Sequence, residues 1–413
     1  MNKILKEVLQ DIVPIEKEQK DVSTKIAAFL KRINSSLGDA KAILGGSMAK
    51  GTWIKGVYDA DIFVQFPYSK YKEKSAEISD IVEKRIKKSF PKLSRLHGSR
   101  DYFQIRENGV TYEVIPILNV TNPKAAINIT DISPLHAKWV HKYPGKSDEI
   151  RLVKSFCKAQ GVYGAESYIR GFSGYVAEIL SIHYGSFETL IRAASKWQPK
   201  TIIDPMKYHK NVMFEVNQSK LISPLVLIDP VQAGRNTAAS LDLDNYLRFV
   251  KACQEYLKNP SGEFFKKKEI TKESLKKLHP NHSVIFLEIS PLEGKEDVIG
   301  GKLLKAFNFF IQKLENHDFQ LMDKGWEFDR EKKANFWFVV HPRELPKEKN
   351  WPGPPLKAKE NVENFKRKYK KTFEKQNRIF AIVERKFTTP EELIKGLKKD
   401  IYLKDKITSF TIK

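Results

Sequence analysis

Asp59 and Asp61, two carboxylates separated by one alanine, are the residues of this chain with the most specific chemical potential. Successive side chains of a strand alternate faces, so the two would project together while Ala60, Ile62, Val64 and Phe66 face a core. Like charges held side by side repel unless cations fill the gap. A pair of divalent ions about 3.5–4 Å apart is the usual solution in enzymes that transfer nucleotidyl groups. Magnesium suits such a place, because it prefers oxygen ligands, keeps several waters and takes one or two carboxylates plus substrate phosphates. A third carboxylate stands in the strand-like run Thr111-Tyr-Glu-Val-Ile-Pro116, where Glu113 would occupy one face and Tyr112 and Val114 the other. Asp59, Asp61 and Glu113 would then hold two ions, one activating a hydroxyl nucleophile and one neutralising a departing pyrophosphate.

Gly45-Gly46-Ser47 follows a short strand and opens a helical turn, where N–H groups without intrahelical partners favour a phosphate. Ser47 and Lys50 would face a triphosphate there. A GGS alone is a common turn, and an Asp-x-Asp alone is frequently a solvated strand edge. Their combination is far more specific: 11 and 13 residues intervene between Ser47 and the two aspartates, and Glu113 lies on a later strand.

The elements that must position these groups follow from hydrophobic spacing. Leu5, Val8, Leu9 and Ile12 make an amphipathic first helix, and Val22 to Ile33 a second, closed by the turn Ser35–Gly38. Ala42–Leu44, Ala60–Phe66, Tyr102–Arg106 and Val110–Ile117 read as strands of a mixed sheet, with a Lys-rich helix around Glu73–Phe90. From Pro134 onward the i, i+3, i+4 rhythm predicts a helical domain, broken at Pro260-Ser261-Gly262. Beyond it, strand-like HSVIFLEIS, FWFVVH and RIFAIVERKF alternate with helix-like GGKLLKAFNFFIQKLE and ENVENFKRKYKKTFEKQ, and WPGPPLK at Trp351–Lys357 reads as a surface loop or hinge.

At 413 residues several domains are expected, and 73 Lys+Arg against 50 Asp+Glu leave a net charge of +23, which favours nucleic acid as partner. Cys157 and Cys253 lie in helical runs with no paired ligand nearby, so neither a disulfide framework nor a zinc site is indicated and a reducing cytoplasm fits. The first twenty residues have neither a signal h-region nor a membrane span, so no targeting segment and no membrane are expected. Lys357–Lys386 mixes eleven Lys/Arg with four Glu, and Val362, Phe365, Tyr369 and Phe373 recur at helical spacing. The apolar seam would be buried, leaving Lys366, Arg367, Lys370 and Lys371 on a face that grips phosphates by position rather than by sequence. Phe264-Phe-Lys-Lys-Lys-Glu-Ile-Thr-Lys would extend that track or form a solvated loop.

GGS followed by Asp-x-Asp resembles the nucleotidyltransferase superfamily of DNA polymerase beta, poly(A) polymerases and CCA-adding enzymes. GGSMAKGTWIKGVYDADIFVQF, SPLHAKWV, EIRLVKSFCKAQGVYGAESYIRGFSGYVAEIL, DPVQAGRNTAASLDLDN and RKFTTPEE, in order across most of the chain, resemble the archaeal class I CCA-adding enzymes. The resemblance implies template-independent addition of C, C and A to the 3′ end of tRNA from CTP and ATP, and repair of damaged ends. It implies metal binding by Asp59, Asp61 and Glu113, and nucleotide contacts from Gly46, Ser47, Lys50, His136, Lys154 and Tyr163. It makes Arg235 the reader of the base edge, through its forked donors. From the residues alone, Lys154 would be a solvated helix face, Tyr163 a core ring, His136 a surface turn residue and Arg235 a salt-bridged surface residue. Two positions depart from the family: Lys50 stands where Arg is frequent, and Glu113 where Asp is usual.

The expected architecture is α+β and multidomain. It comprises a polymerase-beta-like nucleotidyltransferase head with a mixed sheet (1–133), a helical nucleotide-binding neck (134–259), an α+β body (260–300 and 380–413) and an RNA-binding tail (301–379). The expected partners are tRNA, at its acceptor stem and elbow, CTP, ATP and Mg2+, with a homodimer left open. The rival readings are a poly(A) polymerase, a small-molecule nucleotidyltransferase and a non-catalytic RNA-binding protein.

Overall fold

A computed structural model describes residues 2–329, 332–341 and 344–413. Two compact units divide the chain, Met1–Lys268 and Glu269–Lys413.

The first unit begins with α1 (Lys3–Ile12) and α2 (Glu16–Asn34). There follow β1 (Lys41–Leu44), the single turn α3 (Gly46–Ala49), β2 (Asp59–Pro67), α4 (Tyr68–Tyr71), α5 (Ile78–Ile86), β3 (Ser94–Leu96), β4 (Tyr102–Glu107) and β5 (Val110–Asn119). The strands form one mixed sheet in the order β1-β2-β5-β4-β3, with β2 and β5 parallel. Alternation along β2 decides what each face does. Ala60, Ile62, Val64 and Phe66 are buried with Val22, Ile26, Phe29 and Ile33 of α2 and Ile78, Val82 and Ile86 of α5. Phe29 stacks on Tyr112 of β5 at 3.8 Å between ring centroids and 3° between planes. Two helices therefore close one face of the sheet, and Asp59 and Asp61 belong to the other.

The helical layer of the same unit comprises α6 (Ser133–His141), α7 (Ser147–Ala159), α8 (Gly174–Tyr184), α9 (Phe187–Ala194), β6 (Thr201–Ile203), α10 (Val212–Glu215), β7 (Leu225–Leu227) and α11 (Leu243–Lys258). Phe156 of α7 sits among Phe187, Phe249, Tyr256 and Phe265 with ring centroids 5.5–6.0 Å apart. Two expected boundaries change here. The apolar stripe of α1, Leu5, Val8 and Ile12, is buried with Ile150, Val153 and other residues of the helical layer, so the first helix belongs to the neck rather than to the head. Phe265 is buried in the same core, which carries the neck past 259 to the end of the unit at Lys268; Lys266, Lys267, Lys268 and Glu269 of the run from Phe264 to Lys272 are exposed.

The second unit holds α12 (Lys272–Leu278), β8 (Ser283–Pro291), α13 (Glu296–Asn316), β9 (Gln320–Phe328), β10 (Ala334–His341), β11 (Glu348–Pro355), α14 (Lys359–Lys368), β12 (Thr372–Lys375), β13 (Arg378–Glu384), α15 (Pro390–Gly396), α16 (Ile401–Lys404) and β14 (Ile407–Ile412). One sheet runs β14-β8-β10-β9 and packs Ile285, Leu287, Phe336 and Phe338 against Leu303, Phe307 and Phe310 of α13. The other runs β11-β13-β12. A body–tail division at 300/301 would cut α13 in two and detach β9 and β10 from the sheet that pairs them with β8. The inserted element is the smaller sheet with α14, 348–384.

Two local expectations also give way. The helix foreseen through residue 376 ends at Lys368; Thr372–Lys375 is a strand paired with β13 through a two-residue turn, Gln376 and Asn377, both at positive φ. Phe373 consequently stacks on Phe380 across the hairpin, while Val362 and Phe365 remain on the buried side of α14. WPGPP is an edge strand rather than a loop. β11 pairs on one side only, where prolines lacking an N–H are tolerated, and its register shifts between Pro352 and Pro355.

Candidate active site

Asp61 and Glu113 are register partners on the parallel strands β2 and β5, and Asp59 lies two residues along β2 on the same face. The parallel crossover thus carries Glu113, 52 positions on in the chain, beside Asp61. Burial lifts the Asp61 carboxyl to about 6, Asp59 adding its repulsion against the pull of Lys50 and Lys154. Among the described residues no three His, Cys, Asp or Glu side chains converge into one metal-sized group. The three carboxylates therefore share a face and a register without being drawn together. The donor set still fits a hard divalent ion: it is all oxygen, it is anionic, and the pull of Lys50 and Lys154 does not offset the burial of Asp61.

The turn after β1 is built against the same carboxylate. Gly45 donates its N–H to the Asp61 carbonyl at 2.7 Å, and Gly46 takes φ +59°. A β-carbon on Gly46 would lie 1.5 Å from Asp61 Oδ2, and one on Gly45 2.2 Å from the Phe63 ring. Both glycines are required by close approach, and Gly46 also by its backbone. Ser47, half-buried, follows on the single turn of α3.

Lys50 and Lys154 are not solvated. Lys50 Nζ donates to Glu178 Oε2 at 2.6 Å, and Lys154 Nζ donates to Glu178 Oε1 at 2.8 Å and to Thr52 Oγ1 at 3.0 Å. Thr52 donates its hydroxyl to Glu178 Oε1 at 3.1 Å. All these side chains are buried or nearly so. Burial opposes ionisation of Glu178, but Lys154 and Lys50 together hold its carboxyl down to about 2. Burial likewise pushes the Lys154 ammonium below its ordinary value against the pull of Glu178. Arg151 of α7 fixes the intervening loop by donating to the Trp53 and Gly51 carbonyls at 2.9 and 2.6 Å. Tyr163 belongs to the same cluster. A β-carbon on Gly174 would lie 2.9 Å from the Tyr163 hydroxyl and 3.9 Å from Lys154 Nζ, and the ammonium of Lys158 lies 5.2 Å from the Tyr163 ring centroid.

His136 and Arg235 form a second cluster around Asp229, a fully buried carboxylate just beyond β7. Asp229 Oδ2 accepts from Arg235 Nη1 at 2.9 Å and from His136 Nε2 at 3.0 Å. Its Oδ1 accepts from the Val231 N–H at 2.8 Å and the Tyr175 hydroxyl at 3.2 Å. Tyr175 stacks on His136, with ring centroids 4.0 Å apart. Burial holds the imidazole below its usual pKa despite Asp229, so His136 is neutral near pH 7 and its Nε2 proton is committed to Asp229. The nucleotide contact that the resemblance implies for His136 would have no second proton to donate in that state.

Lys366, Arg367, Lys370 and Lys371 are exposed in the second unit. Lys366 lies 3.9 Å from Glu363 and from Glu374, and Lys371 pairs with Glu348 at 3.2 Å. Sequence reading missed Glu178, Asp229, Thr52, Tyr175 and Arg151. The available signal was a carboxylate inside an apolar run, VAEILSI for Glu178 and LVLID for Asp229, since a buried charge must be paired.

Residues 148–266 match a family described as tRNA nucleotidyltransferase, second domain, and residues 283–403 match CCA-adding enzyme, C-terminal domain. Residues 1–149 match the Second Messenger Oligonucleotide or Dinucleotide Synthetase domain. The CCA-adding enzyme of Nanoarchaeum equitans is 36% identical over 84% of this chain and 84% of its own. Those of Methanocaldococcus jannaschii and Archaeoglobus fulgidus are each 31% identical over 96% of this chain and 90% and 89% of theirs. A solved structure of Cid1, an RNA terminal uridylyl transferase, shares the fold over 65% of this chain and 98% of its own, with TM-score 0.50 and 13% identity.

Proposed function

This chain belongs to the archaeal CCA-adding enzymes, and from that premise we propose how its residues carry the reaction. The activity is addition of C, C and A to the 3′ end of tRNA from CTP and ATP; the same chemistry rebuilds a truncated end. The observation that carries the residue assignment is the register of Asp61 with Glu113 on neighbouring parallel strands, with Asp59 on the same face.

Asp59, Asp61 and Glu113 would hold two magnesium ions. Bound there, divalent ions would polarise the tRNA 3′-hydroxyl and neutralise charge on the departing pyrophosphate. Gly46 brings the turn against Asp61, so Ser47 presents its hydroxyl to the triphosphate beside the carboxylates. Lys50 and Lys154 exchange Glu178 for phosphate oxygens, and Tyr163 donates its hydroxyl at the same end. Thr52, bridging Lys154 and Glu178, keeps the pair from collapsing onto one lysine. His136 and Arg235 lie together at the other end, where Arg235 reads the base edge. The head, residues 16–133, supplies the carboxylates, the neck supplies the lysine partners and Arg235, and the inserted sheet with Lys366, Arg367, Lys370 and Lys371 holds the tRNA backbone.

No helix of the described residues is long and apolar enough to cross a membrane. Whether two chains associate is read by light scattering, which a homodimer would move to twice the 47.7 kDa chain mass. The test of activity is extension of tRNA lacking its last three nucleotides, with CTP alone, ATP alone and both. Both nucleotides should give a product three residues longer. A long A tract would favour a poly(A) polymerase, and full function in Asp61→Asn would favour a non-catalytic RNA-binding protein.

A further inference from the structure

Asp229 neither resembles a metal ligand nor faces solvent, yet four donors from three parts of the neck converge on it. His136 comes from α6, Tyr175 from α8, and Val231 and Arg235 from the turn after β7. That turn is also closed on itself: the Asp229 N–H donates to the Arg235 carbonyl at 2.9 Å, and the Arg235 N–H to the Gln232 carbonyl at 2.9 Å. Backbone and carboxylate together thus fix where the Arg235 side chain starts and where its Nη1 ends. The Arg235 side chain remains 28% exposed while Asp229 is fully covered, so the anchor is buried and part of the arginine is accessible.

We propose that Asp229 is the positioning residue for nucleotide selection: it clamps Arg235 through Nη1 and His136 through Nε2, so that the guanidinium presents one fixed donor edge to the incoming base. This rests on the assignment of Arg235 as the base reader. An arginine free to rotate offers five donors in many directions and satisfies a carbonyl of one base as readily as a ring nitrogen of another. An arginine pinned at one nitrogen offers a single pattern, and that pattern is what separates cytosine and adenine from uracil and guanine. Held neutral by burial, His136 adds no second cation to compete for the same carboxylate.

The test compares Asp229→Asn with Arg235→Ala. It measures kcat/KM for CTP, ATP, UTP and GTP on tRNA ending before its CCA, together with a thermal melt of each protein. Asp229→Asn should lower the preference for CTP over UTP and for ATP over GTP by about tenfold, within the range a bidentate base contact supplies. Arg235→Ala should lower it at least as far. Tyr175→Phe removes one hydroxyl from Oδ1 and should lower it by about twofold to fourfold, which tests the clamp even if Asp229→Asn fails to fold. If Arg235→Ala keeps wild-type preference, the base-reader assignment fails. If Arg235→Ala loses preference while folded Asp229→Asn slows all four nucleotides equally, the positioning proposal is overturned and Asp229 is purely structural. Unchanged preference in Tyr175→Phe overturns it when Asp229→Asn does not fold.

Discussion

Glu178→Gln changes one charged oxygen to a neutral amide at the centre of a buried cluster and leaves its volume almost unchanged. Glu178 is held from 4.5 down to about 2 by Lys154 and Lys50, which corresponds to a contribution on the order of 3 kcal/mol. Lys154 offsets part of this, since burial lowers its own pKa. The loss expected on removing one partner of a buried pair is of the same size, about 3–5 kcal/mol. The sign with pH follows from the depressed pKa. The contribution is complete above about 4.5 and is lost as pH falls from there toward about 2. Because the chain forms two units, the appropriate assay is amide hydrogen exchange of α8 at pH 7, where about 3 kcal/mol accelerates exchange roughly a hundredfold. A triphosphate supplies the missing anion to both lysines, so CTP should slow exchange in the variant by a larger factor than in the parent protein. Exchange within threefold of the parent, or a variant that CTP protects no more than the parent, would refute the argument that Glu178 is the resident counter-charge of the phosphate lysines.

The remaining expectations concern the carboxylates, the turn and the tail. Asp61 carries a folded-state pKa of about 6 against 3.8, so its charge opposes folding above pH 6 and this penalty is relieved as pH falls through 6. Asp61→Asn should therefore stabilise the first unit at pH 8 by on the order of 2–3 kcal/mol in denaturant unfolding while abolishing nucleotide transfer; a destabilised variant would contradict it. Gly46→Ala places a β-carbon 1.5 Å from Asp61 Oδ2 and should reduce kcat at least about a hundredfold, whereas Gly56→Ala, also at positive φ but with no atom within 4 Å, should cost only about 1 kcal/mol of backbone strain and keep its activity. Replacing Lys370 and Lys371 together by alanine should weaken tRNA binding and reduce the magnitude of its log–log salt slope by about 1–2, without changing which nucleotides are added.

The head was legible because its strands alternate cleanly and its chemistry is local. Asp59 and Asp61 are two residues apart, and the Gly45-Gly46-Ser47 turn precedes them on adjoining strands. Pairing Glu113 with Asp61 needed only that β2 and β5 be neighbours. What stayed hidden was the partner of each buried charge. Lys50 and Glu178 are separated by 128 positions and His136 and Asp229 by 93, and no periodicity announces such a pair. Lys154 resembled a solvated helix residue because its helix is charged on the exposed side, yet the structure turns it inward onto Glu178. In the second unit the helical rhythm foreseen through Phe373 held for Val362 and Phe365, up to the helix end at Lys368. It was then overridden by a hairpin whose only sequence mark is Gln376-Asn377, a weaker turn signal than Asn-Gly. Proline suggested a loop at 351–355, but an edge strand accepts it because one side of its backbone has no ladder to complete.

The catalytic account depends on Asp59, Asp61 and Glu113 gathering divalent cations beside the Gly46-Ser47 turn. Crystals grown with CTP and Mn2+ would show the ions directly by anomalous scattering. The account predicts peaks within bonding distance of Asp59, Asp61 and Glu113, with the triphosphate against Ser47 and Glu178 released by Lys50. Manganese bound elsewhere, or a triphosphate seated away from β2 and β5, would contradict it.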